Sequence, residues 1–99
     1  MERIKFPEGD YIYRQEDPSD SIYVVRSGRV NLTTVYPETG EGIDSTHGPG
    51  HVFGEVEVID GRARDSSARA ATPTQVMVIT KTELLELLYV IPEKSLVLG

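Results

Sequence analysis

Residues 51–68 read HVFGEVEVIDGRARDSSA, and this stretch decides how the rest of the chain is interpreted. An apolar strand ends at Phe53, and Gly54 lets the backbone pass close to whatever lies beside it. Residues 56–60 are enough for one turn of helix, which directs unpaired backbone N–H groups toward one point. Such an arrangement binds phosphate. We therefore call residues 53–64 the phosphate-binding cassette.

Two charged side chains of the cassette suggest the ligand. Arg64 follows the predicted helix, where the chain must return toward the next strand, and its forked guanidinium suits the same phosphate. Glu55 is a poor phosphate ligand because two anions repel, but a carboxylate there can accept a hydrogen bond from a sugar hydroxyl. The pair predicts a small phosphorylated sugar such as a nucleotide. The alternative interpretation is an exposed salt bridge on a turn, which would contribute little.

The rest of the chain is predicted to be mainly β. Short runs rich in β-branched and aromatic residues alternate with turns that contain Gly, Pro, Asp and Ser. Gly28 separates two such runs and supplies the positive φ of a hairpin turn. This pattern is typical of a small antiparallel β-barrel or jelly roll. The predicted strands are residues 4–6, 11–14, 21–26, 29–36, 43–47, 67–71 and 75–79.

The end of the sequence predicts a C-terminal helix. Thr80 and Glu83 have the spacing of a capping box, in which each side chain bonds the other residue's backbone N–H. Leucines at positions 84, 85, 87 and 88 follow, and we expect this leucine cluster to join the core. Pro92 is expected to end the helix. The apolar residues 96–98 leave two interpretations open, packing on the barrel or the start of a partner-facing helix.

The length, net charge and cysteine content of the chain argue against several kinds of binding surface and site. The chain has 99 residues, which is one domain, and a formal net charge of -6, which argues against a nucleic-acid-binding surface. It has no cysteine, so disulfides and zinc–thiolate sites are excluded. His47 and His51 flank a glycine-rich turn, and we expect no metal site there. No apolar run has the length of a membrane-spanning helix, so a cytoplasmic module with no membrane contact is expected.

Taken in order, these segments resemble the cyclic-nucleotide-binding domain family of catabolite activator proteins, protein kinase A regulatory subunits and gated ion channels. The resemblance spans nearly the whole chain. It rests on FPEGDYI at residues 6–12, YVVRSGRV at 23–30, GPG at 48–50, FGE at 53–55, and Arg64 at the expected spacing.

The resemblance implies a role for each cassette residue. Gly54 and Val56 should offer backbone N–H groups to the cyclic phosphate. Glu55 should accept from the ribose 2′-hydroxyl, and Arg64 should pair with an exocyclic phosphate oxygen. The two positions after Arg64 normally lie against the phosphate and the base. The expected nucleotide-binding residues are Phe53, Gly54, Glu55, Val56, Arg64, Asp65 and Ser66.

The resemblance also implies a regulatory function rather than an enzymatic one. The domain should bind cAMP or cGMP, with cAMP favoured, need no cofactor or metal, and signal to an attached effector. We expect residues 1–99 to be one domain of a larger protein, because the family's long helix that covers the base lies beyond this sequence. The sequence leaves the oligomeric state open, and a homodimer is among the options. No direct nucleic-acid contact by this domain is expected.

Two residues depart from the family pattern. Glu57 stands where the family has a small residue, and one interpretation is that it points to solvent. Asp65 stands where Ser, Thr or Ala is usual, and an ionised Asp65 cannot donate a hydrogen bond. One interpretation is that Asp65 repels a phosphate and holds Arg64 away from it, and the other is that Asp65 is a surface turn residue beside the following strand. The alternative function is therefore a degenerate fold that serves as an interaction or oligomerisation module without nucleotide.

Overall fold

Short strands form where β-branched and aromatic residues alternate with polar ones. The computed structural model describes residues 1–88, which contain eight strands and two helices. The second helix, α2, covers residues 81–88 of this described part. The other elements are β1 (Glu2–Phe6), β2 (Tyr11–Tyr13), β3 (Ser21–Ser27), β4 (Val30–Val35), β5 (Gly42–His47), β6 (Val52–Phe53), α1 (Glu55–Asp60), β7 (Ser67–Ala70) and β8 (Thr74–Thr80).

The strands form two antiparallel sheets of four strands each. Their orders are β1-β8-β3-β6 and β2-β7-β4-β5, so most neighbours are distant in sequence. This is a jelly-roll-like β-sandwich, which confirms the predicted fold class. Along β8 the side chains alternate, and Thr74, Val76 and Val78 are buried while their neighbours are not. Together with Val25, Val30, Phe53 and Ala68, the valines of β8 fill the space between the sheets.

The predicted hairpin at Gly28 is wrong: within residues 1–88, β3 pairs with β8 and β6 while β4 pairs with β7 and β5, so the turn at Gly28 carries the chain from one sheet to the other. Gly28 has φ +82°, and a Cβ on it would lie 2.3 Å from the carbonyl oxygen of Pro73. Both its conformation and its surroundings therefore require glycine. The segment predicted as a weak strand, β5, pairs with β4 over six residue positions, from Val30↔His47 to Val35↔Gly42.

The capping box of α2 is confirmed. The Thr80 N–H donates to Glu83 Oε1 at 3.0 Å, and the Glu83 N–H donates to Thr80 Oγ1 at 3.1 Å. The expectation that the leucine cluster joins the core is wrong, since Leu87 and Leu88 are 50% and 52% exposed. Side chains from the strands already fill the interior, which leaves α2 on the surface. Pro92 and residues 96–98 lie outside the described residues.

None of the helices within residues 1–88 has the length and apolar character needed to span a bilayer.

Candidate functional site

The second residue of the phosphate-binding cassette is a glycine that no other residue could replace without strain. Gly54 caps α1 with φ +77°, and no side chain caps this end of the helix. A Cβ on Gly54 would lie 2.6 Å from Arg64 Nη1. Val58 anchors α1 in the core, while Val56 is 49% exposed. The predicted helical turn is therefore confirmed and starts one residue earlier, at Glu55.

Arg64 is buried and held by the backbone on both sides. It is 2% exposed, and Nη1 donates to the Gly54 carbonyl and Nη2 to the Ser21 carbonyl, each at 2.6 Å. Its Cζ lies 4.1 Å from the centre of the Tyr13 ring, a cation–π distance. Arg64 Nε is also buried and makes no hydrogen bond within residues 1–88. Arg64 thus ties the cassette to β3 and keeps one donor unused.

Glu57 is the charged partner of Arg64. Its Oε1 lies 3.4 Å from Arg64 Nη1, and Glu57 is only 6% exposed. The interpretation that Glu57 points to solvent is wrong. Neighbouring positions on so short a helix face different ways, and here Glu57 and Val58 turn inward while Val56 turns outward. A buried cation without a counter-charge is costly, and Glu57 supplies that counter-charge.

Asp65 does not hold Arg64, so the first interpretation is wrong, and its exposure agrees with the interpretation as a surface turn residue. Its carboxylate accepts a hydrogen bond from Arg62 Nη1 at 2.7 Å, and Arg62 also pairs with Asp60 at 3.2 Å. The Asp65 side chain is 53% exposed. Successive residues of the extended segment point to opposite sides, so Arg64 enters the interior while Asp65 meets Arg62 at the surface.

A cavity of about 190 Å³ lies beside the start of α1. Four of the seven predicted nucleotide-binding residues line it, whereas Val56 and Asp65 are exposed elsewhere. Arg64 lies behind the wall, in contact with the lining residues Tyr13, Gly54 and Glu57. The cavity is lined by Tyr13, Leu32, His51, Val52, Phe53, Gly54, Glu55, Glu57 and Ser66.

Sequence reasoning included Phe53 in the site but missed Tyr13, another aromatic ring of the cavity wall. The rings of Tyr23 and Phe53 stack with centroids 5.3 Å apart, and Tyr13 lies 5.7 Å from Tyr23. Burial raises the pKa of Tyr13 to about 12, against the opposing effect of the Arg64 charge. Simple alternation along Tyr11–Tyr13 would put Tyr11 and Tyr13 on one face, but the register shifts between them and only Tyr13 is buried, which the sequence could not indicate.

The two histidines form a stacked pair rather than a chelating one. The rings of His47 and His51 are 3.8 Å apart and nearly parallel, at 7°. Burial, and then the proximity of His51, lower the pKa of His47. Within residues 1–88, no three side chains of His, Cys, Asp or Glu are grouped so as to hold a metal ion. His51 contributes to the cavity wall as an aromatic ring.

A family profile and individual relatives all relate this chain to cyclic-nucleotide-binding proteins. The profile of the cyclic nucleotide-binding domain matches residues 3–89. The cyclic AMP receptor protein of Thermus thermophilus is 31% identical over 93% of this chain and 43% of its own length. A cAMP-dependent protein kinase regulatory subunit from Emericella nidulans is 34% identical over 77% of this chain and 18% of its own.

A solved structure agrees with the sequence comparisons. The crystal structure of Thermus thermophilus catabolite activator protein superposes with a TM-score of 0.85 at 30% identity, covering 92% of this chain and 43% of that one. The chain thus spans less than half the length of each of these proteins.

Proposed function

The chain belongs to the cyclic nucleotide-binding domain family, and from this membership we propose that its cavity binds a cyclic nucleotide, preferring cAMP to cGMP. One observation carries the proposal. Gly54, Glu55 and Ser66 line a single cavity, and Arg64 lies directly behind it with a buried Nε donor that has no partner within residues 1–88. A phosphate is the group that such a donor and the backbone N–H groups beside it would hold.

The proposed contacts divide between the two ends of the ligand. The N–H groups of Gly54 and Val56, with Arg64, hold the cyclic phosphate. Glu55 accepts a hydrogen bond from the ribose 2′-hydroxyl, because a carboxylate on the wall needs a donor. Ser66 lies where it can donate to the phosphate or face the base. The apolar and aromatic part of the wall, which includes Leu32 and Phe53, suits the sugar and the base.

The preference for cAMP is supported by two observations. The relatives described above are named for cyclic AMP. In addition, position 65 carries no hydroxyl that could donate to a guanine, because Asp65 is exposed and bound to Arg62. The cavity therefore offers guanine no advantage at that position.

We further propose that this is a regulatory and non-catalytic domain of a larger cytoplasmic protein. The relatives that it matches are a receptor protein and a regulatory subunit, and the chain covers 43% and 18% of them. Nucleotide binding would then change an effector outside residues 1–99, within one chain or across a homodimer. Hydrogen–deuterium exchange of the longer protein tests this: cAMP should alter protection in segments beyond the domain.

Isothermal titration of residues 1–99 with cAMP and with cGMP tests the binding proposal. We expect heat with both ligands and a lower Kd for cAMP. Thermal unfolding provides a second readout, because a ligand at one hundred times its Kd adds about 2.7 kcal/mol to the free energy of unfolding.

Two variants and one negative outcome complete the test. Glu55→Gln should weaken cAMP binding, while Glu41→Gln, on the distant loop between β4 and β5, should leave it unchanged. If a folded sample gives neither heat nor a Tm shift with millimolar nucleotide, the proposal is wrong. The alternative of an interaction module without nucleotide would then take its place.

A further inference from the structure

Phosphate binding does not explain why the negatively charged Glu57 lines the cavity. A second anion beside the phosphate position should hinder the ligand, yet Glu57 is buried there and pairs with Arg64. We infer that Glu57 competes with the ligand's phosphate for Arg64 and thereby restricts the site to ligands that also make sugar and base contacts. This inference rests on the proposed function and concerns the same site.

The contacts of Arg64 support competition. Two of its partners are the neutral carbonyl oxygens of Gly54 and Ser21, and the third is the Glu57 carboxylate. A phosphate in contact with Arg64 would bring a like charge next to Glu57. Like charges this close repel strongly in a partly buried site. Entry of the phosphate therefore requires the Glu57 carboxylate to turn away from Arg64.

The small volume of the cavity agrees with the inference that Glu57 competes with the phosphate for Arg64. Its volume of about 190 Å³ is below the roughly 300–1,000 Å³ usual for small-molecule sites. The Glu57 side chain forms part of the wall that separates the cavity from Arg64. Outward rotation of Glu57 would enlarge the cavity and expose Arg64 in the same movement.

The consequence is selection against ligands that bind through phosphate alone. When orthophosphate replaces the Glu57 carboxylate at Arg64, one anion takes the place of another and no contact with a sugar or a base is added. A cyclic nucleotide adds the bond from its ribose to Glu55 and the contacts of its base, which offset the loss of the ion pair. Glu57 would thus be a specificity-determining residue that also keeps nucleotide affinity modest.

The test compares three substitutions that each remove one negative charge near the cassette. Glu57→Gln keeps the side-chain shape and removes the competing charge, so cAMP affinity should rise at least about tenfold. Asp65→Asn removes an exposed charge bound to Arg62, and should change affinity less than about threefold. Glu55→Gln removes the proposed ribose acceptor and should weaken binding. Titration of each folded 99-residue chain with cAMP gives the three values.

Orthophosphate provides a second, independent readout. In Glu57→Gln, millimolar orthophosphate should compete with cAMP, whereas in the natural chain it should not. Folding of each variant is checked by circular dichroism before titration. The natural chain can also be examined by NMR of the Arg64 Nε–H group, whose resonance should move when cAMP binds.

The outcomes separate this inference from the function it rests on. If the natural chain binds cAMP and Glu57→Gln binds no tighter, Glu57 does not compete and the inference is wrong, while the proposed function stands. A gain of equal size in Asp65→Asn would also overturn it, since the effect would be one of general charge. Absence of binding in every variant would overturn the proposed function and this inference with it.

Discussion

Replacing Arg64 by alanine should destabilise the domain even when no ligand is present. The substitution removes two hydrogen bonds to backbone carbonyls and strands the buried Glu57 carboxylate. Removing one partner of a buried ion pair costs about 3–5 kcal/mol, because an uncompensated charge remains inside. In a domain of 60–100 residues each kcal/mol is worth about 4–8 °C, so the Tm should fall by at least about 12 °C.

Thermal and urea unfolding, followed by circular dichroism without nucleotide, measure this loss. Arg62→Ala is the matched control, since Arg62 is two positions away and makes two ion pairs, but its side chain is 47% exposed. Exposed pairs contribute about 0–1 kcal/mol, so the Arg62 variant should unfold near the natural temperature.

A double substitution tests the source of the loss. If the stranded carboxylate is the cause, replacing Glu57 and Arg64 together by alanine should recover part of the stability lost in Arg64→Ala. Equal Tm values for Arg62→Ala and Arg64→Ala would refute the reasoning, because they would mean that the buried contacts of Arg64 add nothing to the fold.

Two further predictions concern the frame around the cassette. Gly28→Ala should lower the free energy of unfolding by more than Gly40→Ala. Both glycines have positive φ, but a Cβ at Gly28 would lie 2.3 Å from the carbonyl oxygen of Pro73, while a Cβ at Gly40 would meet no atom within 4 Å. Equal losses in urea unfolding would contradict this prediction. The pKa of Tyr13 is raised from 10.0 to about 12, so the Tyr13 hydroxyl loses its proton at a higher pH in the folded state than in the unfolded state. Stability should therefore fall as pH rises from 10 to 12, by on the order of 2 kcal/mol, and Tyr13→Phe should remove this part of the pH dependence seen in the natural chain.

Features set by local geometry were predictable from the sequence. The turn at Gly28, the capping box of Thr80 and Glu83, and the helical turn that follows Gly54 each depend on residues close together in the chain, whereas the pairing of β3 with β4 predicted across Gly28 does not form within residues 1–88. Hydrogen bonding over three or four residues and a positive φ leave a recognisable sequence pattern. For the same reason, short runs of β-branched and aromatic residues between turns were enough to predict a mainly β fold.

Features set by distant contacts were not predictable in the same way. Whether Glu57 faces inward depends on Arg64, on Tyr13 of β2 and on Ser21 of β3, which meet only in the folded sandwich. Whether the leucines of α2 are buried depends on how completely the strands fill the core. In both cases the sequence does not indicate which face of a short helix is buried, because that depends on packing against distant parts of the chain.

The cassette shows why the position of an arginine in a motif does not by itself define its role. Arg64 was predicted as a phosphate ligand from its spacing after Gly54, and its Nε, which has no partner within residues 1–88, is compatible with that prediction. Yet its Nη atoms already bridge Gly54 and Ser21, so the same side chain holds the fold together. A phosphate that binds the Nε donor can leave those carbonyl bonds intact, but it brings a second negative charge close to Glu57. The ion pair between Glu57 and Arg64 therefore affects both the affinity for an anionic ligand and the stability of the fold.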